Sequence, residues 1–341
     1  MKRTAKLFFV LTVLFLFLVS PLTASAETLR IGWQPCTSNW YPFFVGMDKG
    51  FYEKAGIEVK QQVFMSGIPE AEALAAGELD VAFMGSTPGL IVGSTGLPIK
   101  FLTNVATYVT SLGVYVQPDS GIKTIFDLKG KKMAYTKGST GHYMVDLVLD
   151  KAGLGEKDIK LINMEMEDIA ATFKSKQVDA CCVWEPWNFV IEKHGGESLI
   201  DASMLNKPPG KIIHASIGDA VLASGKILNE KPELVRKFFL ATYEALAWSR
   251  KNIDESAQIA SKWFAVGGAK IPVEQCKISV DSMYINPDLE MQVTEILPNL
   301  YATLRQQSAF LMNVGKLKKV KDPKEFVDLT VIFDVYAMSK K

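Results

Sequence analysis

Two short turns carry residue types suited to holding an anion. Gly85-Ser-Thr-Pro88 follows the apolar run Val81-Met84, and Lys137-Gly-Ser-Thr-Gly-His142 follows a run ending at Tyr135; a helical pattern comes after each. Ser86 and Thr87, with Pro88 as first helical residue, can cap the first helix while their hydroxyls and the nearby amides face outward. Ser139, Thr140, Gly141 and His142 repeat the arrangement in the second turn. Each turn alone reads equally as a plain N-cap. Together, after corresponding strands, they read as two halves of an oxyanion site at positive helix ends. Neither turn closes with the Gly-Lys-Ser/Thr of a phosphate loop, and the chain has no GxSxG elbow and no HExxH, so the commonest nucleotide-hydrolysing, esterase and metalloprotease signatures are missing.

Carboxylates and indoles supply the complementary chemistry. Val183-Trp-Glu-Pro-Trp187 ends an apolar strand and places Trp184 and Glu185 at its carboxyl end, where an indole covers an apolar stem or a cation and a carboxylate neutralises an ammonium group. Glu185 reads equally as a carboxylate facing a helix dipole. Asp219 lies inside the apolar strand Ile217-Ala223, where a charge needs a partner. Trp33 and Gln34, just past the first strand, and Ser111, at the crossing between the two halves, complete the candidate ligand-binding set.

These residues need elements to position them. From Thr28-Leu-Arg-Ile-Gly32 onward the pattern is strand, a helix over Phe43 to Lys54 ended by Gly56, strand Glu58 to Val63, helix Ile68 to Ala76, buried strand Val81 to Met84, then helix Pro88 to Ser94. It restarts after Gly113 with Val114-Val116, Lys132-Tyr135, a helix over Tyr143 to Ala152, Ile159-Asn163, a helix over Ile169-Ser175, and Val178 to Trp184. Beyond Ala223 long helical periodicity dominates, clearest over Val235 to Arg250 and Met291 to Gln306. Two α/β lobes with returning helices predict a clamshell crossed near 107–113 and 215–220. Lobe I spans 27–110 and 217–341, lobe II spans 111–216, and each is built on a mostly parallel sheet. Such folds bind ligands in the cleft, at strand carboxyl ends and helix N-termini.

Charge and composition narrow the function. With 341 residues, 48% of them hydrophobic and a formal net charge of +1, the chain builds a sizeable core and has no basic excess for nucleic acid. Lys2, Arg3 and Lys6 precede the apolar run Leu7 to Val19, and Ala24-Ser-Ala26 follows, which predicts a secretion signal cleaved before Glu27. The four cysteines form no CxxC pair and do not cluster with His142, His194 and His214, so neither a metal site nor a cofactor is indicated. Cys181 and Cys182 read as small apolar fillers of a strand.

Seven segments in order carry a family resemblance: Ile31-Gly-Trp-Gln34, Gly50-Phe-Tyr-Glu53, Ala75-Ala-Gly-Glu-Leu-Asp80, Gly85-Ser-Thr-Pro88, Asp127-Leu-Lys-Gly130, Thr140-Gly-His-Tyr143 and Val183-Trp-Glu-Pro186. The chain resembles the nitrate/sulfonate/taurine group of periplasmic substrate-binding proteins of ABC transporters, most of all its taurine-binding branch. The resemblance implies a type II periplasmic binding fold, a non-catalytic monomer, and an ABC permease and ATPase as partners. It implies that Ser86, Thr87, Ser139, Thr140 and His142 surround a sulfonate while Asp219 holds an ammonium group. Glu185 departs from that branch, which tends to carry a small residue there. A receptor for another zwitterion, a nitrate-like anion or a pyrimidine precursor stays open, the last because of Tyr41, Tyr108, Tyr115 and Tyr143. So does an enzyme on the same two-lobe fold, for which Cys36 is the one cysteine near the expected cleft.

Overall fold

The computed structural model describes residues 26–35, 41–107, 111–205, 218–268, 270–281, 287–315 and 317–340. The expected secretion signal, Cys36, Tyr108 and His214 lie outside the described residues, as do parts of both expected crossings.

Among the described residues, ten strands form two five-stranded sheets. The strands are β1 (Glu27–Trp33), β2 (Ile57–Val63), β3 (Val81–Gly85), β4 (Ile99–Thr107), β5 (Leu112–Val116), β6 (Lys132–Tyr135), β7 (Lys160–Asn163), β8 (Ala180–Trp184), β9 (Glu197–Asp201) and β10 (Gly218–Ser224). The first sheet runs β2-β1-β3-β10-β4 and the second β7-β6-β8-β5-β9. In the first, β10 is antiparallel to both neighbours while β1 runs parallel to β2 and β3. In the second, β5 has the antiparallel role beside the parallel β6, β7 and β8. Each lobe is therefore a mostly parallel sheet with one reversed strand, and the reversed strand follows a crossing between the halves. The apolar runs of β3, β8 and β10 are buried at every residue and sit inside their sheets, whereas the edge strand β2 exposes alternate residues and the edge strand β7 has no fully buried residue.

Helices of seven residues or more are α1 (Tyr41–Asp48), α2 (Gly67–Ala75), α3 (Ser86–Gly93), α4 (Thr140–Lys151), α5 (Met166–Lys174), α6 (Trp187–Lys193), α7 (Pro232–Ser249), α8 (Ile253–Val266), α9 (Val273–Asp281), α10 (Leu297–Asn313) and α11 (Thr330–Ser339). The helix expected over Phe43 to Lys54 is two pieces, α1 and a turn over Phe51–Lys54, because Gly50 adopts φ +71° between them. The long stretch expected from Met291 is interrupted by a π-helical turn over Gln292–Ile296 before α10 begins. The returning helices pack on the first sheet through an aromatic cluster. Phe43 meets Phe83 and Phe238, and Phe44 stacks on Trp263 with ring centroids 5.4 Å apart. Cys181 and Cys182 are buried in β8, and burial pushes both thiols up, as suits apolar fillers. Among the described residues no helix is long and apolar enough to cross a membrane.

Candidate functional site

The carboxyl ends of β3 and β6 deliver the two turns to each other. α4 begins at Thr140, three residues earlier than its periodicity suggests, because Ser139 caps it: Ser139 Oγ accepts from His142 N at 3.1 Å. α3 begins at Ser86 with Gly85 as its N-cap and no side-chain cap. Ser86 and Thr87 are thus first-turn residues, and Pro88 is third in the helix. The two N-termini touch: a Cβ placed on Gly85 would lie 2.0 Å from Thr140 Oγ1. Ile68 of α2 likewise packs against Gly138, and Glu167 of α5 against Gly268 beyond α8. The lobes are closed on each other here.

A narrow cleft with a free volume of about 10 Å³ remains between them, lined by Gln34, Gly67, Gly85, Pro88, Ser139, Thr140 and Trp184. Trp184 covers its floor. A Cβ on Gly141 would meet the indole at 3.1 Å, so the missing side chain lets the ring lie across the start of α4. Thr140 Oγ1 and Ser111 Oγ are buried with no hydrogen-bond partner among the described residues. Buried hydroxyls in that state cost free energy unless a bound group satisfies them. Ser111 also ties the hinge to the floor, its carbonyl accepting from Glu185 N at 2.7 Å. A larger apolar pocket of about 40 Å³, lined by Phe43, Phe83, Phe238 and Tyr243 among others, belongs to the core of the first lobe. The smaller cleft is the better candidate because polar groups converge on it.

Both acidic candidates are buried around this region. Asp219 is 0% exposed at the start of β10, opposite Gly85 in register. Glu185, 6% exposed, faces the returning helices: burial first, then the Glu185 carboxylate, pushes the Cys276 thiol of α9 up to about 12. Ser86 Oγ accepts a long bond from Gly218 N at 3.4 Å, joining the start of α3 to the start of β10.

Three expected side chains are turned elsewhere. Trp33 is fully buried on the opposite face of β1, edge-on to Phe44 and Trp263, with its indole N–H donating to Gln61 on β2. Strand alternation explains this: Gly32 and Trp33 face opposite sides, and Gly32 faces α2. Thr87 Oγ1 accepts from Gln307 Nε2 of α10 at 2.7 Å, inside the first lobe. The His142 ring points into the second lobe, 4.8 Å from the Tyr135 ring, and its Nδ1 accepts from Gly138 N at 3.0 Å. Its Nε2 lies near Asp146 and Glu156, all three within 4.8 Å, a metal-like donor set by composition. Because Nδ1 is an acceptor, the neutral ring carries its proton on Nε2, which leaves no lone pair there for a metal. Of the described tyrosines of the pyrimidine reading, none lines this cleft: Tyr41 is buried in the core, Tyr115 is directed toward Asn188 and Glu192, and Tyr143 packs edge-on to Phe310 of α10.

One residue of the site lay outside the sequence expectations. Glu70 of α2 is 0% exposed and reaches the end of β1, where its Oε2 accepts from Gln34 Nε2 at 2.6 Å and its Oε1 from Phe83 N at 3.0 Å. Its signal was a carboxylate on the buried face of α2, beside Ala71, Ala73 and Leu74. Gly32 makes room for it, since a Cβ there would lie 2.9 Å from Glu70 Oε1.

Comparison with known proteins gives the family and the fold. A family model described as NMT1/THI5 like matches residues 37–256. The chain belongs to the NMT1/THI5-like family. A putative aliphatic sulfonates-binding protein of Bacillus subtilis is 31% identical over 241 residues, 69% of each chain. A putative binding protein of Brucella abortus is 26% identical over 328 residues, 96% of this chain and 97% of its own. Among solved structures, the alkanesulfonate-binding protein SsuA of Xanthomonas axonopodis pv. citri, bound to MOPS, matches with a TM-score of 0.74 at 21% identity, over 90% of this chain and 99% of its own. The fold of this NMT1/THI5-like chain is the two-lobe, type II periplasmic binding fold.

Proposed function

We propose that the protein is a secreted, non-catalytic receptor that closes on a small organosulfonate and presents it to an ABC permease and its ATPase. One observation carries this reading: the N-termini of α3 and α4 meet across the cleft with the unsatisfied Thr140 hydroxyl between them. Helix amides and hydroxyls stabilise an anion without a formal positive charge, and a sulfonate offers three acceptor oxygens to such a ring. Asp219, buried opposite Gly85 in register, supports a ligand that also carries an ammonium group, as taurine does, over a simple inorganic anion. The relatives described as sulfonate-binding support the anionic end of the assignment. β1 begins at Glu27, so cleavage of a secretion signal before that residue would cost the sheet nothing.

The experiment is a thermal-shift and calorimetric screen of the mature chain against taurine, amine-free alkanesulfonates, nitrate, amino acids and pyrimidines. Sulfonates are expected to raise the melting temperature and titrate one to one. A panel in which only nitrate or pyrimidines bind would replace this reading.

A further inference from the structure

Glu70 fills the fork where β1 and β3 part. Their pairing runs through Ile31 with Val81 and Gly32 with Ala82, and beyond it Phe83 N donates to Glu70 Oε1. The other oxygen, Oε2, holds Gln34, the residue that carries the fork into the cleft. Glu70 is fully buried, and among the described residues no lysine or arginine partners it. The elements packed on α2 offer no cation either. β3 and α3 contain no titratable side chain, and Arg30 of β1 is committed to Asp80 and the Gly77 carbonyl. On α2 itself Glu72 is exposed, and Lys137 across the cleft is exposed as well. Among the described residues the charged group that acts on Glu70 is another carboxylate, Asp219 of β10.

A desolvated carboxylate with no cation and a like charge beside it takes up a proton. We propose that Glu70 is held as a neutral carboxylic acid whose O–H donates to the Gln34 amide oxygen, turning the Gln34 NH₂ toward the bound anion. The two ends of a primary amide have the same shape, so the contact is made equally well in this sense. Burial, reinforced by Asp219, pushes the Glu70 carboxyl well above the ordinary range against the pull of its bonds to Gln34 and Phe83. The consequence rests on the sulfonate reading above. A site with both Glu70 and Asp219 ionised would repel an anion; neutralising Glu70 removes one of these charges and adds a donor pointing at the ligand. Glu70 is then a positioning residue for Gln34.

The test compares wild type, Glu70→Leu and Glu70→Gln. Infrared difference spectra read the protonated carboxyl C=O band without any ligand: it is expected in wild type at neutral pH and lost in Glu70→Gln. Calorimetry with an alkanesulfonate across neutral to alkaline pH reads the consequence. Wild-type affinity is expected to fall as Glu70 ionises. Glu70→Leu is expected to bind about ten- to a hundredfold more weakly, because Gln34 loses its anchor. Glu70→Gln, which donates to Gln34 and accepts from Phe83 as the acid does, is expected to rescue binding and flatten the pH profile. A missing carboxyl band, a Glu70→Gln profile that follows wild type, or a variant as weak as Glu70→Leu overturns the proposal. If wild type binds no sulfonate, the function reading falls separately and the infrared band still decides the state of Glu70.

Discussion

Gly85→Ala isolates closure from folding. Gly85 sits at φ −54°, ψ 145°, which alanine adopts freely, so the lobe itself should fold and melt as wild type. The added methyl, however, lies 2.0 Å from Thr140 Oγ1 and 3.2 Å from its Cβ. That is about 1.4 Å short of ordinary contact with the hydroxyl. Either Thr140 turns its hydroxyl out of the cleft, or the N-termini of α3 and α4 stay apart by a comparable distance. Both outcomes cost the anion at least one hydrogen bond, worth about 1.5–3 kcal/mol to a charged group, or roughly ten- to a hundredfold in Kd. Calorimetry gives the loss, and solution scattering tells whether the liganded variant still contracts. Thr140→Ala supplies the control. It removes the obstructing oxygen, so adding Gly85→Ala to it should cost much less than adding Gly85→Ala to wild type. Wild-type affinity in Gly85→Ala, or strict additivity with Thr140→Ala, would refute the idea that these two residues meet in the bound state.

Three further outcomes follow from the same geometry. Asp219→Asn is expected to weaken amine-bearing sulfonates by about 2–5 kcal/mol in calorimetry and amine-free ones much less, since it breaks a desolvated charge pair available only to the former; equal loss for both would make Asp219 structural. Glu185→Ala should shift preference toward plain sulfonates, and a lowered melting temperature with unchanged preference would return Glu185 to a helix-dipole role. Because the Glu70 acid is favoured in the folded state, ionising it costs stability. The stability it contributes is full below the ordinary glutamate range and is lost as pH rises toward its raised folded value. Denaturant titrations should therefore show wild type losing stability relative to Glu70→Gln as pH rises, and parallel pH profiles would contradict this.

The parts of the fold that sequence reveals are those buried on both faces. Val81-Met84 and Val183-Trp184 read as strands because all their residues are apolar, and the same burial puts their turns at the cleft. The edge strands β4 and β9 escaped notice because mixed sequences such as Ile99–Thr107 and Glu197–Asp201 have no clean alternation; pairing with β10 and β5 makes them strands. At the site, composition identified the turns and the acidic residues, but side-chain direction was beyond it. Trp33 and Gln34 are adjacent in sequence, yet one enters the aromatic core and the other the cleft. His142 shares a turn with Thr140, but its ring takes a backbone N–H from Gly138 and leaves the cleft to the hydroxyl. Glu70 was hidden for a different reason: its importance depends on a fork between β1 and β3, which only the sheet pairing brings together around it.

The most direct test of the receptor reading is an isothermal titration of the purified mature chain with taurine, with the ligand recovered and analysed afterwards. Saturable one-to-one binding and unaltered ligand are expected, and the same titration with an amine-free alkanesulfonate should give weaker binding. Conversion of the ligand would contradict a non-catalytic receptor, and absence of heat and of thermal shift with every sulfonate tried would contradict the sulfonate assignment.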